Sequence, residues 1–197
     1  MDFRAACYGV GLMHGNDETG GVASPSDETL MRRVGRGDRD AFVELVRRRQ
    51  GGVVNFFRRM GDSKDAEDLA QETFLRLFRY RKQYRPTAKL TTFLYLLARR
   101  TRIDHLRKLE RRQRLREAVA GEAEIERSVR DGGRALKDRA VEALAELSEE
   151  MRSVVVMSVF QGLKYREIAE IMDIPVGTVK TRMFHAVRRL REVLNDA

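Results

Sequence analysis

The stretch that decides the fold is residues 163–190, LKYREIAEIMDIPVGTVKTRMFHAVRRL. Apolar residues at positions 168, 169, 171 and 172 share one face of a helix, and Asp173–Pro175 then interrupts the pattern with a short turn. Proline suits the first turn of a helix because an amide hydrogen there would be unpaired in any case. The stretch therefore predicts two helices joined by a tight turn, the helix-turn-helix arrangement.

The helix predicted after Pro175 has two chemically different faces. One face is apolar, with spacings of four, three and four residues, as a face turned toward a core requires; it consists of Val179, Met183, Ala186 and Leu190. The opposite arc is polar and cationic and carries Thr178, Thr181, Arg182, His185, Arg188 and Arg189. Such groups bind base edges and phosphates in the major groove of DNA. A solvated charged face is the plain alternative, but the preceding turn favours DNA.

Caps and helix stops predict five helices in the first half of the chain, over residues 26–34, 38–50, 53–60, 63–83 and 90–116. Ser26, Asp38 and Ser63 supply side-chain oxygens for three N-caps. The pair Gly51-Gly52 is expected to break the second helix from the third, and Gly61 is expected to end the third. In the second half, Ser148 caps a further helix that Gly162 ends.

The chain shows almost no strand-like alternation, so the predicted fold class is all-α, with two helical domains joined by a flexible linker. Residues 1–25 are predicted to form a flexible tail, and residues 26–116 the first domain. Residues 117–136 have weak periodicity and are predicted to be the linker. Residues 137–197 form the second domain, which contains the helix-turn-helix.

The charge balance indicates a polyanionic partner. Lysine and arginine number 39 against 30 acids, which gives a net charge of +9 and a pI near 10.1. Cys7 is the only cysteine, so an intramolecular disulfide is excluded, and His14, His105 and His185 lack metal-ligand spacing. We expect no metal and no cofactor. No apolar run reaches the ~20 residues of a membrane span, and no signal peptide is evident, which predicts a cytoplasmic protein.

An acidic stripe stands out in this basic chain. Asp65, Asp68 and Glu72 are spaced three and four residues apart and so share one helix face. Acids are poorly suited to DNA, so the stripe indicates a basic protein partner. The alternative is a solvated helix start whose acids balance the helix dipole.

Aromatic and basic residues alternate in the segment that follows, residues 76–85, RLFRYRKQYR. Single-stranded nucleic acid is bound by these two residue types, since aromatic rings stack on bases and cations attract the backbone. Tyr80 and Tyr84 are the candidates for stacking, whereas Phe78 is expected to pack in the core.

Two parts of the second domain resemble the sigma-70 family, in particular its small extracytoplasmic-function (ECF) members. They are Tyr165-x-Glu167-Ile168-Ala169 and Pro175-x-Gly177-Thr178-Val179-Lys180-Thr181-Arg182, which resemble the family's promoter-reading region four. In the family this helix reads the −35 element. The resemblance places the −35 contacts at Gly177, Thr178, Lys180, Thr181, Arg182, Phe184, His185 and Arg188.

The first domain resembles region two of the same family. Asp68-Leu69-Ala70-Gln71-Glu72-x-Phe74 is similar to the helix that grips the β′ coiled coil of polymerase, which implies core binding by Asp65, Asp68, Gln71 and Glu72. Residues 93–107 resemble the −10 recognition helix, although the chain has no tryptophan where many members have one. The predicted −10 contacts are Tyr80, Tyr84, Arg99, Arg100, Arg102, Arg107 and Lys108.

The resemblance implies a transcription initiation factor and not an enzyme. Its expected partners are core RNA polymerase, through the β′ coiled coil and the β subunit, and promoter DNA in duplex and single-stranded form. A separate anti-sigma protein is a further partner by analogy with the family, and no membrane insertion is expected. The alternatives are a stand-alone helix-turn-helix regulator of duplex DNA, which leaves the acidic helix and the aromatic-basic segment unexplained, and an adaptor protein, which leaves the helix at 177–189 unexplained. A nuclease is a further alternative, but it needs a carboxylate or histidine constellation for metal or acid–base chemistry, and the acids here have no partner histidine.

Overall fold

The computed structural model describes residues 24–84, 89–120 and 141–195, and within these ranges every regular element is helical. The first module consists of α1 (Asp27–Gly35), α2 (Arg39–Met60), α3 (Ala66–Arg79) and α4 (Leu90–Ala120). The second consists of a helical turn over residues 141–145, α5 (Glu149–Val155), α6 (Tyr165–Met172) and α7 (Val176–Asn195). A π-helical turn, Val156–Phe160, continues α5. The predicted all-α fold is confirmed, while nearly all of the predicted tail and linker lies outside the described residues.

The predicted caps are present where the chain enters its helices. The Thr29 amide donates to Ser26 Oγ at 3.2 Å, and the Ala41 amide donates to Asp38 Oδ1 at 3.0 Å. Ser148 Oγ accepts in the same way at the start of α5. These bonds satisfy amide groups that have no partner within the helix, which is why the caps set the starting points correctly.

The pair Gly51-Gly52 does not break a helix, so that prediction was wrong. A single α2 runs from Arg39 to Met60 and ends at Gly61, whose φ of 99° suits a helix stop. The buried residues Phe56 and Phe57 continue the apolar face beyond the glycines, and their packing outweighs the roughly 1 kcal/mol that glycine costs in a helix.

α3 is shorter than predicted at both ends. Ser63 lies in a turn, and α3 begins after Asp65, which occupies the N-cap position without a side-chain bond. The helix ends at Arg79, before the predicted end near Gln83. Beyond it the chain turns, and Tyr84 packs against Phe93 of α4 with 5.8 Å between ring centroids. That contact requires the chain to leave the axis of α3.

The two modules share one continuous apolar core. Its largest fully buried side chains are Phe56, Phe57, Phe74, Leu30, Met31, Leu45, Met60, Leu77, Leu90, Leu94, Leu97 and Met157. Each such side chain stabilises the fold by roughly 1.5–3 kcal/mol. α4 packs against α6, and α2 packs against the π-helical turn, so the second module is seated directly on the first.

Candidate polymerase and promoter interfaces

The acids predicted to bind polymerase lie along the first half of α3. Asp68 is exposed, and the side chains of Asp65 and Glu72 are 50% and 37% exposed. Gln71 is half-buried on the same helix. The three acids line one polar groove of about 350 Å³, whose opposite wall is α4. The structure therefore brings together the acids that the spacing predicts to share a face.

Basic groups from the same module neutralise part of this acidic face. Arg76 donates from Nε to Glu72 at 2.9 Å and through a terminal nitrogen to Asp104 of α4 at 2.7 Å. Nε2 of His105 lies 3.5 Å from a carboxylate oxygen of Asp65. Within the described part of the chain, Asp68 forms no ion pair, so it is the acid most available to a partner.

The aromatic side chains after α3 differ in exposure. Tyr80 is 41% exposed at the end of the helix. Tyr84 is half-buried against Phe93, and burial raises the pKa of its hydroxyl. Phe78 packs on Phe42 with 5.0 Å between centroids, as expected for a core residue, and the Arg81 guanidinium lies 4.0 Å from the centroid of the Phe78 ring. Tyr80 is thus the aromatic residue that a base can reach in this conformation.

The cations of α4 also separate into two groups. Arg100, Arg107 and Lys108 are exposed, and Arg99 is partly exposed. Arg102 is only 7% exposed. In this conformation four of the five predicted α4 cations are exposed or partly exposed, and the fifth is buried inside the protein.

Arg102 is held by three acceptors. Its guanidinium donates to Asp62 Oδ2 at 2.5 Å and to the Met60 carbonyl at 3.0 Å, and it pairs with Glu149 of α5 at 2.8 Å. Burial raises the pKa of the Asp62 carboxyl, although Arg102 opposes the rise. The network joins the end of α2, the middle of α4 and the start of α5.

In the second module, α6 and α7 form the predicted helix-turn-helix. α6 ends at Met172, and the next residue, Asp173, adopts a left-handed conformation with φ of 55°. The Ile174 amide donates to the Ala169 carbonyl at 3.1 Å. Aspartate is one of the few residues other than glycine that visits this conformation routinely. Val179 and Ala186 are fully buried, which confirms the apolar face of α7.

The opposite face of α7 is open to solvent. Of the residues predicted for the −35 element, the exposed ones are Gly177, Lys180, Thr181, Phe184, His185 and Arg188, and the partly exposed ones are Thr178 and Arg182. The first turn of α7 carries no acid, so its amide groups present a favourable end to a phosphate. Arg188, 73% exposed, lies 3.3 Å from Glu192, a surface pair that a phosphate can replace at low cost.

Comparison with known protein families identifies the family of both modules. Residues 45–112 match the family model described as "Sigma-70 region 2", and residues 137–190 match "Sigma-70, region 4". The chain belongs to the sigma-70 family. This sigma factor is a transcription initiation factor that directs RNA polymerase to promoters, and the stand-alone regulator is not favoured because both regions are present in one chain.

Curated relatives place the sigma factor in the extracytoplasmic-function group. It is 33% identical over 192 residues to the RNA polymerase sigma-H factor of Pseudomonas aeruginosa, with 89% of this chain and 95% of that protein covered. It is 35% identical over 176 residues to the ECF RNA polymerase sigma-E factor of Escherichia coli K12, with coverage of 82% and 90%.

Two solved structures have the same fold as the sigma factor. CnrH in complex with the cytosolic domain of CnrY matches with a TM-score of 0.65 and 22% identity, over 86% of this chain and 97% of that one. RpoE in complex with the anti-sigma factor NepR from Bartonella quintana matches with a TM-score of 0.65 and 24% identity, over 78% and 96%.

Sequence reasoning missed the residues that link distant parts of the sigma factor. Arg76 could have been found, because it stands four residues after Glu72. Asp104 and Glu149 could not, because only the tertiary fold brings them to their partners.

In the described ranges there is no group of three or more His, Cys, Asp or Glu side chains placed to hold a metal ion. Among the described helices, none combines the length and the apolar composition that a bilayer crossing requires.

Proposed function

We propose that this sigma factor binds core RNA polymerase through Asp68 and its neighbours on α3, and that α4 and α7 read the −10 and −35 elements. The observation that carries the proposal is the presence in one chain of two exposed surfaces of opposite charge. The acidic face of α3 suits a basic protein surface, such as that of the β′ coiled coil. The cationic face of α7 suits duplex DNA.

The −35 element is read by the exposed face of α7 in the major groove. Arg182 is the candidate for a base contact, because a guanidinium group can donate two hydrogen bonds to guanine. Lys180 and Arg188 act on phosphates. Phe184, which is 67% exposed, offers an apolar contact to a thymine methyl group.

The −10 element is bound as an unpaired strand. Tyr80 stacks on a base, which contributes roughly 1–3 kcal/mol. Arg99, Arg100, Arg107 and Lys108 attract the backbone of that strand along one side of α4. Arg102 joins them only when its three present acceptors release it.

The sigma factor supplies specificity and has no catalytic role, since the polymerase carries out the chemistry of RNA synthesis. It works in the cytoplasm at the nucleoid, where both partners are found. Because two structurally similar proteins were solved with the partners CnrY and NepR, we also propose that a protein of the anti-sigma class restrains this chain.

The polymerase contact is tested by reversing the charge at Asp68. Asp68→Lys should weaken binding to core polymerase at least tenfold, since it places a cation where a basic surface docks; a loss of ~1.4 kcal/mol corresponds to that factor. Glu67→Lys is the matched control, because Glu67 is the adjacent exposed acid and pairs with Arg58 of α2. Affinity is measured by titration of labelled sigma factor with core enzyme. Equal affinities for the two variants would reject the assignment of Asp68.

A further inference from the structure

The second half of α4 extends away from the packed core of the protein. Every residue from 107 to 116 is exposed, over a length of about 15 Å at 1.5 Å per residue. Thr101 and Arg102, which stand earlier on the same helix, are buried. Because the side chains of residues 107–116 take little part in packing, packing does not explain their composition.

This exposed segment is strongly cationic. It contains one acid, Glu110, and six basic residues: Arg107, Lys108, Arg111, Arg112, Arg114 and Arg116. In the described part of the chain none of the six takes part in an ion pair. Like charges four residues apart on a helix, such as those of Arg107 and Arg111, repel each other. The repulsion destabilises the helix, and an anionic partner would relieve it.

The helix dipole does not account for these cations. A helix C-terminus favours basic residues within its last turn only. The last turn of α4, residues 117–120, contains no basic residue. Arg107 stands more than three turns before the end of the helix. The positions of the cations therefore point to a ligand outside the chain.

Four arginines share one side of α4 and form what we call the arginine stripe. At about 100° of rotation per residue they fall within an arc of about 60°; they are Arg100, Arg107, Arg111 and Arg114. Arg100 and Arg107 already belong to the surface proposed for the −10 strand. Arg111 and Arg114 continue this surface by about 10 Å, which is the rise of about three base pairs of duplex DNA.

Arg112 and Arg116 face another side of the same helix. They are rotated from every member of the arginine stripe by about 100° or more. Arg112 lines the polar groove together with Asp65 and Asp68, so its charge lies beside the acids of α3. These two arginines match Arg111 and Arg114 in charge and exposure but differ from them in direction.

The chemistry of the exposed segment favours double-stranded DNA over a single strand. Unpaired bases are bound by aromatic side chains that stack on them. Residues 107–116 include no aromatic side chain, and their apolar members are Leu109 and Leu115. Cations without stacking groups suit the phosphates of a double helix, whose bases remain paired.

We propose that Arg111 and Arg114 bind phosphates of the double helix that adjoins the unpaired −10 strand. The inference rests on the proposed function, because it takes the −10 strand to lie along Arg100 and Arg107. The chain continues from this end of α4 toward the module that contains α7, so the bound duplex is the one on the −35 side. One helix then holds the unpaired strand near its middle and the paired DNA at its exposed end.

The two pairs of arginines provide a matched test. Arg111→Gln with Arg114→Gln removes two charges from the arginine stripe, and Arg112→Gln with Arg116→Gln removes two from the other side. Affinity of the full chain for mixed-sequence duplex DNA is measured at several salt concentrations. Each phosphate contact contributes about 0.9 to the slope of log affinity against log salt, so the stripe variant should lower the slope by about 1.8. The control should leave the slope nearly unchanged, and circular dichroism checks that both variants keep their helices.

The position of the duplex is tested with forked DNA and core polymerase that carries the sigma factor. Each probe has an unpaired strand of mixed sequence joined to a short duplex, either at the 5′ end or at the 3′ end of that strand. In the strand that carries the −10 element, the −35 side is the 5′ side. The variant of Arg111 and Arg114 should therefore lose more affinity for the 5′ fork than for the 3′ fork. The control should bind both forks as the wild-type chain does.

The outcomes separate this inference from the proposed function. A lower slope in the stripe variant alone, with a selective loss at the 5′ fork, supports the duplex contact. Equal slopes in the two double variants, or a larger loss at the 3′ fork, reject it. Weaker binding to core polymerase with unchanged DNA binding also rejects it, because the partner is then an acidic protein surface. If Arg100→Gln weakens binding to the unpaired strand while the stripe variant changes nothing, the −10 assignment stands and the duplex contact fails.

Discussion

The two predicted recognition helices, α4 and α7, are placed very differently in the molecule. α7 lies at the edge of its module, with Val179 and Ala186 fully buried and a cationic face open along its length. α4 passes through the middle of the protein, where its first half packs against both modules and Arg102 is enclosed. In a helix at the edge, the residues that the sequence pattern predicts to be exposed are exposed. In a helix in the middle, some of those residues are buried by contacts with the rest of the chain.

The sharpest test of this contrast is the removal of Arg102. Arg102→Ala leaves the Asp62 carboxylate, whose side chain is 9% exposed, without its cation. Breaking a buried pair in this way costs about 3–5 kcal/mol, which we expect as a loss in the free energy of unfolding measured with urea.

Arg100→Ala is the control for that measurement, because Arg100 lies on the same helix but is exposed. It should change the free energy of unfolding by no more than about 0.5 kcal/mol. Equal stability of the two variants would show that Arg102 does not differ from the other cations of α4. The proposed difference between α4 and α7 would then be wrong.

On α7 the corresponding change should affect DNA binding and leave stability nearly unchanged. Arg182→Ala should weaken binding to a −35 duplex by about 1–3 kcal/mol and relax the preference at one base pair. The control is Arg191→Ala, an exposed arginine further along α7, and the measurement is affinity for a set of single-base variants of the duplex. If Arg182→Ala weakens every duplex equally, Arg182 is a phosphate contact.

The smallest expected effect concerns the start of α4, which is anchored by another helix. The Leu90 amide donates to Glu28 of α1 at 3.1 Å, and hydrogen bonds from backbone amides, that of Glu28 itself and that of Leu90, lower the pKa of the Glu28 carboxyl. A lowered pKa means that the charged form stabilises the fold above the unfolded pKa, and that this contribution is lost as pH falls through the folded pKa.

Glu28→Gln should therefore reduce the free energy of unfolding by about 1 kcal/mol at neutral pH. The difference from the wild-type chain should vanish in acid, below the folded pKa of Glu28. Urea denaturation at several pH values measures it, and a difference that persisted unchanged in acid would contradict the assigned role of the carboxylate.

Local features of the fold could be predicted from the sequence, because their causes lie within a few residues. The caps at Ser26, Asp38 and Ser148, the helix-turn-helix and the two faces of α7 are of this kind. The acidic face of α3 was also predicted, since three acids at helical spacing must share a side.

Features that depend on distant partners could not be predicted. The burial of Arg102 depends on Asp62, which is 40 residues away in sequence, and on Glu149 of the other module. The continuity of α2 through its glycines depends on apolar packing that follows them. Gly51 and Gly52 look identical in the sequence, and only Tyr95 and Gln161 distinguish them.

The glycine at position 52 also has a consequence for how such a regulator can evolve. Glycine is the one residue without a side chain, so every missense mutation of that codon adds at least one carbon atom beside Tyr95 and Gln161, whose side-chain oxygens would lie 3.0 and 3.4 Å from it. These side chains, one from each module, must then give way. The neighbouring codon can drift without that penalty, so two adjacent, identical residues carry very different risks for the cell.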